Sequence, residues 1–188
     1  MIVIGITGTL GAGKGTLVDY LIRAKGFVHF SVRGYLQVEM KKRNMPNNRD
    51  SMTSLANELR CQNSPSYITD QLFIQAKQSG KNCIIESIRT PGEVVSLREK
   101  GTFYLFAVDA DPAIRYERIK LRGSATDHIS FDTFKANEER EMNNTDPNKQ
   151  NLKKCIEMAD YTFDNNGDIS TFEKQAEIII QKLIENER

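Results

Sequence analysis

The sequence predicts an α/β fold, a three-layer α/β/α sandwich around a doubly wound, five-stranded parallel sheet. Five short apolar runs have the length of β-strands, and longer segments with helical apolar periodicity lie between them. A glycine-rich segment follows the first run directly, between a predicted strand and a predicted helix. Strands that alternate with helices pair in parallel through right-handed crossovers, so these observations together predict a doubly wound sheet.

Each strand is predicted from its apolar run, and each helix from the spacing of its apolar residues. The first strand spans residues 3–7, and residues 16–24 form the first helix. Further strands are predicted at 27–31, 82–87, 103–109 and 161–164, and further helices at 54–62, 68–77, 113–121 and 171–184. One face of the last helix is apolar, which indicates scaffold, and it carries Phe172, Ala176, Ile179, Ile180 and Leu183.

Local signals mark two more helix starts and one loop. Thr90, Pro91 and Glu93 have the spacing of a capping box with proline at the first helical position. Asp111 before Pro112 indicates a second helix cap. The segment 123–142 is polar and helix-prone, whereas the Asn-rich segment 142–150 is predicted to be a loop.

Composition limits the class of protein. The chain has 188 residues and a net charge of +1, so we expect one domain and neither nucleic acid nor a membrane surface as a bulk electrostatic partner. Cys61, Cys83 and Cys155 lack metal-ligand spacing and indicate free thiols in a reducing compartment. We read neither a signal peptide nor an apolar run of the roughly 20 residues that a membrane span requires. We therefore expect a cytoplasmic protein and favour a monomer.

Residues 8–16 have the composition of a phosphate-binding loop. They read Gly-Thr-Leu-Gly-Ala-Gly-Lys-Gly-Thr, after an apolar strand and before a helix. Glycines let consecutive backbone N–H groups turn inward around a polyphosphate, and the helix directs its positive end at the same group. Lys14 is spaced to reach the β- and γ-phosphates of a nucleotide. This segment predicts binding of a nucleoside triphosphate.

Polar residues follow the other predicted strands, at the sheet edge where open parallel sheets bind ligands. They are Ser31 and Arg33 after the second strand, Glu86 and Arg89 after the third, and Asp109 and Asp111 after the fourth. On the following helix, Arg118 and Arg122 are four residues apart and share one face. Phosphoryl transfer needs positioning and positive charge, which arginines and one carboxylate supply.

The order Gly13-Lys14-Gly15-Thr16 resembles the adenylate kinase branch of the nucleoside monophosphate kinases. The resemblance implies a sheet of the P-loop NTPase type with a small helical lid, and ATP and Mg²⁺ as ligands. Thr16 is then a ligand of Mg²⁺. The residues implied in ATP binding are Gly8, Leu10, Gly11, Ala12, Gly13, Lys14, Gly15, Thr16, Arg118 and Asn166.

Residues 84–90 resemble the adenylate kinase segment Asp-Gly-Phe-Pro-Arg-Thr. By that match Glu86 holds Mg²⁺ through water and Arg89 clamps the acceptor phosphate. Glu93 stands where a glutamine reads the acceptor base, although we favour its capping role. Arg33 and Arg60 are further candidates for the acceptor phosphate, in an acceptor-binding helical region at about 33–80.

The segment 111–123 resembles the helix that leads into the lid of nucleoside monophosphate kinases. Lys14, Arg118 and Arg122 are then the catalytic residues, and residues 123–150 are the lid of a single P-loop kinase domain that spans 1–188. Arg140 is a candidate for a further phosphate contact, although pairing within its helix is the simpler account. His128 has no partner cluster in the sequence, and we assign it no catalytic role.

Nearly the whole chain is similar to the adenylate kinase and dephospho-CoA kinase group. Motifs at 88–94, 118–123, 138–141 and 165–167 narrow the resemblance to an uncharacterised archaeal family allied to dephospho-CoA kinases, and to the kinase-like domain of some deoxycytidylate deaminases. Asn166 matches a loop that meets the adenine of ATP in dephospho-CoA kinases. The chain departs from the group at Gly34, where a carboxylate is expected, and at Gln37, where adenylate kinases have an arginine.

These patterns predict ATP-dependent phosphoryl transfer to a nucleoside or deoxynucleoside monophosphate. Dephospho-CoA kinase is the alternative enzyme, and a regulatory nucleotide-binding module is the alternative from another class. A phosphate acceptor is already ionised and needs no general base, whereas a sugar hydroxyl does. The glycine at position 34 therefore counts more against dephospho-CoA than against a nucleotide acceptor.

Overall fold

A five-stranded parallel sheet forms the centre of the molecule. The computed structural model describes residues 1–124 and 128–186. Within these ranges the strands are β1 (Val3–Gly8), β2 (Val28–Ser31), β3 (Cys83–Glu86), β4 (Phe103–Asp109) and β5 (Tyr161–Asp164). Their spatial order is β2-β3-β1-β4-β5, and every neighbouring pair is parallel. The predicted doubly wound sheet is confirmed.

Helices connect the strands and cover both faces of the sheet. They are α1 (Lys14–Lys25), α2 (Val32–Lys42), α3 (Arg49–Gln62), α4 (Tyr67–Ser79), α5 (Pro91–Glu99), α6 (Pro112–Arg122), α7 (Phe131–Met142), α8 (Leu152–Glu157) and α9 (Ile169–Asn186). The five helices predicted from periodicity and both predicted helix starts are confirmed. None of the helices in the described ranges is long and apolar enough to cross a membrane.

The structure differs from the prediction where helices begin without an apolar signal. The spacing of apolar residues predicts neither α2 nor α8. It predicts that α3 begins at residue 54, whereas the helix begins at Arg49. Ser31 ends β2 and caps α2, because its hydroxyl accepts a hydrogen bond of 3.1 Å from the Gly34 N–H. Asn48 caps α3 in the same way, through the Ser51 N–H at 2.8 Å. Capping side chains extend both helices toward the sheet edge.

β1 sets the position of the site because it lies in the middle of the sheet. All six of its residues are buried, as expected of a central parallel strand. Ile6 pairs with Glu86 of β3, and Gly8 pairs with Val108 of β4. The carboxyl ends of β1, β3 and β4 therefore meet at one edge.

Alternating residues of the strands feed two hydrophobic cores, one on each face of the sheet. One core joins Val3, Ile85 and Leu105 to the apolar residues of α2, α3, α4, α5 and α8. The other joins Ile4 and Phe106 to α1 and α9. The buried face of α9 consists of Phe172, Ala176, Ile180 and Leu183, so its predicted scaffold role is confirmed.

Candidate functional site

A cavity of about 510 Å³ opens at the edge of the sheet where the strands end. It lies between the loop after β1, the start of α2, one side of α3 and the end of α6. Among the described residues, seven basic side chains and two carboxylates line it: Lys14, Arg33, Arg49, Arg60, Arg89, Arg118 and Arg122, and Glu86 and Glu141. This excess of basic groups indicates an anionic ligand.

Glycines give the loop after β1 its shape. Gly8 and Gly13 have φ angles of 134° and 99°, in the region that favours glycine. A Cβ on Gly8 would lie 2.0 Å from the carbonyl oxygen of Val108, so only glycine fits beside β4. α1 begins directly after Gly13, which has no side chain to cap the first N–H groups of the helix. Free N–H groups at a helix start attract phosphate.

Most of the residues predicted to bind ATP line this cavity. They are Leu10, Gly11, Gly13, Lys14, Gly15, Thr16 and Arg118. Gly8 and Ala12 belong to the loop but are not part of the cavity wall. Their carbonyl oxygens accept hydrogen bonds from Lys14 and Asn165, which help to fix the shape of the loop.

Lys14 is held against the loop that carries it. Its Nζ donates hydrogen bonds to the carbonyl oxygens of Gly8 at 2.8 Å and Thr9 at 2.7 Å. Burial, together with the positive charge of Arg89, lowers the pKa of Lys14 to about 7. An anion in the cavity would favour the charged form of this lysine.

Glu86 and Thr16 bring an acidic and a hydroxyl oxygen to the same cavity. Oε2 of Glu86 accepts a hydrogen bond of 3.2 Å from Nε2 of His29. Burial opposes ionisation of Glu86, but this hydrogen bond and the charges of Lys14 and Arg89 outweigh it, so the pKa of Glu86 is lowered. An ionised carboxylate and a hydroxyl suit Mg²⁺, which usually takes one or two protein oxygens and completes its shell with phosphates and water.

The described residues contain no group of three or more His, Cys, Asp or Glu side chains that could hold a metal. A metal at Glu86 would therefore depend on ligand oxygens as well as on the protein.

Ser87 connects Glu86 to the arginine that follows. Its φ of 73° is in the left-handed region, where the adenylate kinase segment quoted above has glycine. The N–H groups of Ser87 and Ile88 both donate to the carbonyl oxygen of Ile6, at 3.0 and 3.1 Å. This tight turn directs Arg89 into the cavity.

The structure confirms the capping role that the sequence favours for Glu93 over the reading of an acceptor base. Glu93 is fully buried and is not part of the cavity wall. Its Oε2 accepts from the backbone N–H groups of Arg89 and Thr90, which completes the capping box. Its Oε1 accepts 2.9 Å and 3.3 Å hydrogen bonds from Arg60. Both oxygens are occupied, so Glu93 fixes α5 and Arg60 in place.

Arg60 lies in the cavity wall, as expected for a residue that binds the substrate to which the phosphoryl group is transferred. Its side chain is 1% exposed, and Glu93 holds two of its three nitrogens. The third nitrogen, Nη1, is buried and has no hydrogen-bond partner in the part of the chain that the structure describes. A buried donor without a partner is costly, so it points to a missing acceptor group at this wall.

Arg118 and Arg122 both reach the cavity from the end of α6. Nη2 of Arg118 donates to the carbonyl oxygen of Asn165 at 2.8 Å. Its Nη1 is buried without a partner among residues 1–124 and 128–186. The two arginines therefore line the same cavity as Lys14.

The contact of Asn166 with adenine stays a prediction. The Asn166 side chain accepts a hydrogen bond of 2.7 Å from the backbone N–H of Asp111, and this residue is exposed outside the cavity wall. Asn165 lines the cavity instead, and its Nδ2 donates to the carbonyl oxygen of Ala12 at 2.8 Å. The two asparagines alternate in direction at the end of β5, which decides which one faces the loop.

The wall below α2 and α3 is apolar. Val32, Leu36, Met52 and Ala56 line this side, with Arg33 at its mouth. An apolar slot in a cavity that is also lined by a buried guanidinium suits a flat ring with a polar edge.

Arg49, Arg89 and Glu141 form an ion-pair cluster in this cavity. The sequence did not predict this cluster. Nη2 of Arg49 and Nη1 of Arg89 each donate a hydrogen bond of 2.5 Å to Glu141, one to each carboxylate oxygen. Arg89 also donates to Oε1 of Gln150 at 2.8 Å. Burial opposes ionisation of Glu141, but the two guanidinium charges outweigh it and lower its pKa. The one sequence signal that could have pointed to Arg49 is Asn48, a residue type that caps helices, because this cap places Arg49 in the first turn of α3.

α7 has a second anchor at the phosphate-binding loop. Arg115 of α6 is buried and donates to the carbonyl oxygens of Ala110 at 2.7 Å and Leu10 at 3.3 Å. The same guanidinium makes a two-point ion pair with Glu138 of α7. Arg140 lies outside the cavity wall, and its Nη2 is 3.5 Å from Asp50. Residues 125–127 of the predicted lid are outside the described ranges.

Sequence comparison places the chain in a known family. A family model described as an AAA domain matches residues 4–144. The chain is similar to a UPF0200 protein of Pyrococcus abyssi, with 24% identity over 188 residues that cover 97% of both chains. A UPF0200 protein of Methanococcus maripaludis is 28% identical over 187 residues, which cover 98% of both. These names state no activity.

Solved structures confirm the fold. The protein TT1252 of Thermus thermophilus superimposes with a TM-score of 0.63 over 97% of both chains, at 17% identity. A shikimate kinase of Bacteroides thetaiotaomicron gives 0.55 over 98% of both chains at 14% identity. A dephospho-CoA kinase of Campylobacter jejuni gives 0.51 over 96% of both chains, also at 14% identity. The chain belongs to the AAA domain family and has the fold of the P-loop kinases, as the resemblance to the nucleoside monophosphate kinase superfamily predicts.

Proposed function

We propose that this protein transfers the γ-phosphoryl group of ATP to the phosphate of a nucleoside or deoxynucleoside monophosphate. One observation carries this proposal: the loop after β1 and the arginines Arg49, Arg60 and Arg89 line the same cavity. Two anion-binding regions in one cavity suit a reaction that holds two phosphorylated substrates together.

The donor region is the loop and the end of α6. Backbone N–H groups at the start of α1 and Nζ of Lys14 would hold the ATP phosphates. Arg118 and Arg122 line the same cavity as Lys14, where positive charge would stabilise a phosphoryl group during transfer. Thr16 and Glu86 would hold Mg²⁺, Glu86 through water, and the metal would neutralise charge on the phosphates.

The acceptor region is formed by residues 33–80 together with the segment after β3. Arg89 and Arg49 would bind the acceptor phosphate, with Arg33 at the mouth of the slot. Arg60 would contribute its free Nη1 to a polar edge of the nucleoside. The apolar wall of Val32, Leu36, Met52 and Ala56 supplies a surface on which a base can pack.

The reaction needs little acid–base chemistry from the protein. An ionised oxygen of the acceptor phosphate bonds to the γ-phosphorus, and the bond from that phosphorus to the bridging oxygen of ATP breaks, so that ADP leaves. No proton has to move from the nucleophile. Among the described cavity residues, the carboxylates are Glu86 and Glu141, and both accept hydrogen bonds from basic side chains. This supports a phosphate acceptor over a sugar hydroxyl.

The same proposal gives α7 and the loop that follows it the role of a lid. Glu138 and Glu141 tie α7 to both regions of the cavity, which supports a role for α7 as a cover over the reacting groups. The free thiols Cys61, Cys83 and Cys155 support a reducing compartment, and we propose the cytoplasm and a monomer.

The testing experiment is a coupled ADP-release screen. The full chain is incubated with ATP and Mg²⁺, and with each of the ribo- and deoxyribonucleoside monophosphates in turn. Release of ADP that requires one of these acceptors supports the proposal. Release that requires dephospho-CoA establishes the alternative kinase, and slow release that ignores every acceptor establishes a nucleotide-binding module. Lys14→Met, which removes the charge on the loop, must abolish any release that counts as support.

A further inference from the structure

We infer that Glu141 of α7 occupies the seat of the acceptor phosphate between Arg49 and Arg89, and that the acceptor must displace it. This inference rests on the proposed function, because it names how that acceptor enters. Glu141 would then act as an internal competitor on the lid helix.

The contacts of Glu141 are those of a bound anion. Each carboxylate oxygen accepts one hydrogen bond of 2.5 Å, from Arg49 of α3 on one side and Arg89 after β3 on the other. The Glu141 side chain is 6% exposed, whereas those of Arg49 and Arg89 are 22% and 20% exposed. The carboxylate therefore lies deeper than the two arginines and fills the space between them.

The two oxygens of Glu141 do not satisfy the donors around them. Nε of Arg49 is buried and has no hydrogen-bond partner in the ranges that the structure describes. A terminal phosphate presents three oxygens, so it can meet the two guanidinium groups and this remaining N–H as well. The seat is better matched to a phosphate than to the carboxylate that fills it.

The position of Glu141 along α7 links this competition to the lid. Glu138 lies one turn earlier and holds Arg115 at the donor loop. Loss of the Glu141 contacts would release the last turn of α7 while the first anchor remains. An acceptor phosphate would thus loosen one end of α7 on entering, and ion pairing there would be restored once the seat is empty.

The test measures binding of inorganic phosphate by isothermal titration, with the loop after β1 first saturated with ADP and Mg²⁺. Glu141→Gln keeps the shape of the side chain and removes its charge. We expect this variant to bind phosphate about ten times more tightly than the natural chain. This factor corresponds to a natural chain in which Glu141 leaves the seat free in about a tenth of the molecules. Unchanged or weaker binding overturns the inference, because Glu141 would then orient the arginines instead of competing for them.

Matched variants locate the effect. Glu138→Gln removes the other carboxylate of the same helix and should bind phosphate as the natural chain does. Arg49→Met in the Glu141→Gln background should abolish the gain, and a gain that survives this change overturns the assignment of the seat. These titrations need no turnover, so their failure is distinct from failure of the ADP-release screen.

A second measurement uses the natural chain, so its outcome does not depend on whether a substituted protein folds. Phosphate added to the ADP complex should speed hydrogen exchange in residues 138–142, because the displaced end of α7 is released. Unchanged or slower exchange there overturns the inference.

Discussion

Asn165 occupies the space that a side chain on Gly13 would need. Its Nδ2 lies 2.1 Å from the position of an ideal Cβ on Gly13, and it donates a 2.8 Å hydrogen bond to the carbonyl oxygen of Ala12. The shape of the phosphate-binding loop is therefore held from the end of β5, more than 150 residues away in the sequence.

Substitution of Gly13 should damage the loop, whereas substitution of Gly15 should not. Gly13→Ala places a Cβ against Asn165 at a φ of 99°, and we expect it to weaken ADP binding at least tenfold, about 1.4 kcal/mol. No atom lies within 4 Å of a Cβ on Gly15, which is inside α1, so Gly15→Ala should retain or raise the melting temperature. Calorimetric titration and thermal unfolding of both variants measure these effects. Equal ADP affinity for Gly13→Ala and the natural chain would contradict the steric argument.

Nucleotide binding should take up a proton on Lys14. The pKa of Lys14 is lowered to about 7 in the free protein, so at pH 8 this group is mostly neutral. A bound polyphosphate raises that pKa, and we expect uptake of about one proton per ADP at pH 8, falling toward zero at pH 5.5, where Lys14 is already charged.

Titration in buffers of different ionisation enthalpy measures this uptake. Because ADP itself releases protons at low pH, the relevant quantity is the difference between the natural chain and Lys14→Met at each pH. An identical proton balance for the two proteins at pH 8 would show that Lys14 is charged before the nucleotide arrives.

The Arg60–Glu93 pair allows stability to be separated from acceptor binding. Arg60→Met leaves a buried carboxylate without its cation and should cost about 3–5 kcal/mol in the free energy of unfolding. The double variant Arg60→Met/Glu93→Gln removes the buried charge, and its amide oxygen can still accept from the Arg89 and Thr90 N–H groups. We expect most of the stability to return, as measured by denaturant unfolding.

The acceptor KM of the same double variant should stay raised, because the free Nη1 of Arg60 is gone. A double variant with both natural stability and natural acceptor KM would assign Arg60 to the scaffold alone.

Relief of backbone strain should stabilise the protein at Ser87. Its φ of 73° costs a side-chain-bearing residue roughly 1 kcal/mol, which Ser87→Gly should recover in denaturant unfolding. Asn44 is the matched control, since it is exposed, has a φ of 52° and belongs to a residue type that tolerates this region. Asn44→Gly should therefore gain less. A loss of stability in Ser87→Gly would mean that contacts of the Ser87 side chain outweigh the strain.

The sheet could be predicted from the sequence because its signal is local. The apolar runs of β1, β4 and β5 agree with the observed strands to within one residue. Helix α2 was not predictable in the same way, because it follows β2 without an intervening loop and its start depends on the Ser31 cap.

Part of the cavity lining was also predictable, since the loop, Glu86 and Arg89 follow strands whose ends must meet. The Arg49–Glu141 contact was not predictable, because the two residues are 92 positions apart on different helices and neither belongs to a loop motif. Asn166 shows a further limit. Sequence spacing placed it near the right loop, but the direction of its side chain depends on a backbone partner that only the folded chain supplies.

The buried guanidinium of Arg115 also bears on how the chain assembles. Its acceptors are the carbonyl oxygen of Leu10, just after β1, that of Ala110, just after β4, and the carboxylate of Glu138. The first two come together only when β1 and β4 have paired, which joins segments about 100 residues apart. Until then the Arg115 guanidinium that pairs with Glu138 is not yet held by both carbonyl oxygens. We therefore expect the Glu138 anchor of α7 to form late in folding, after β1 and β4 have paired.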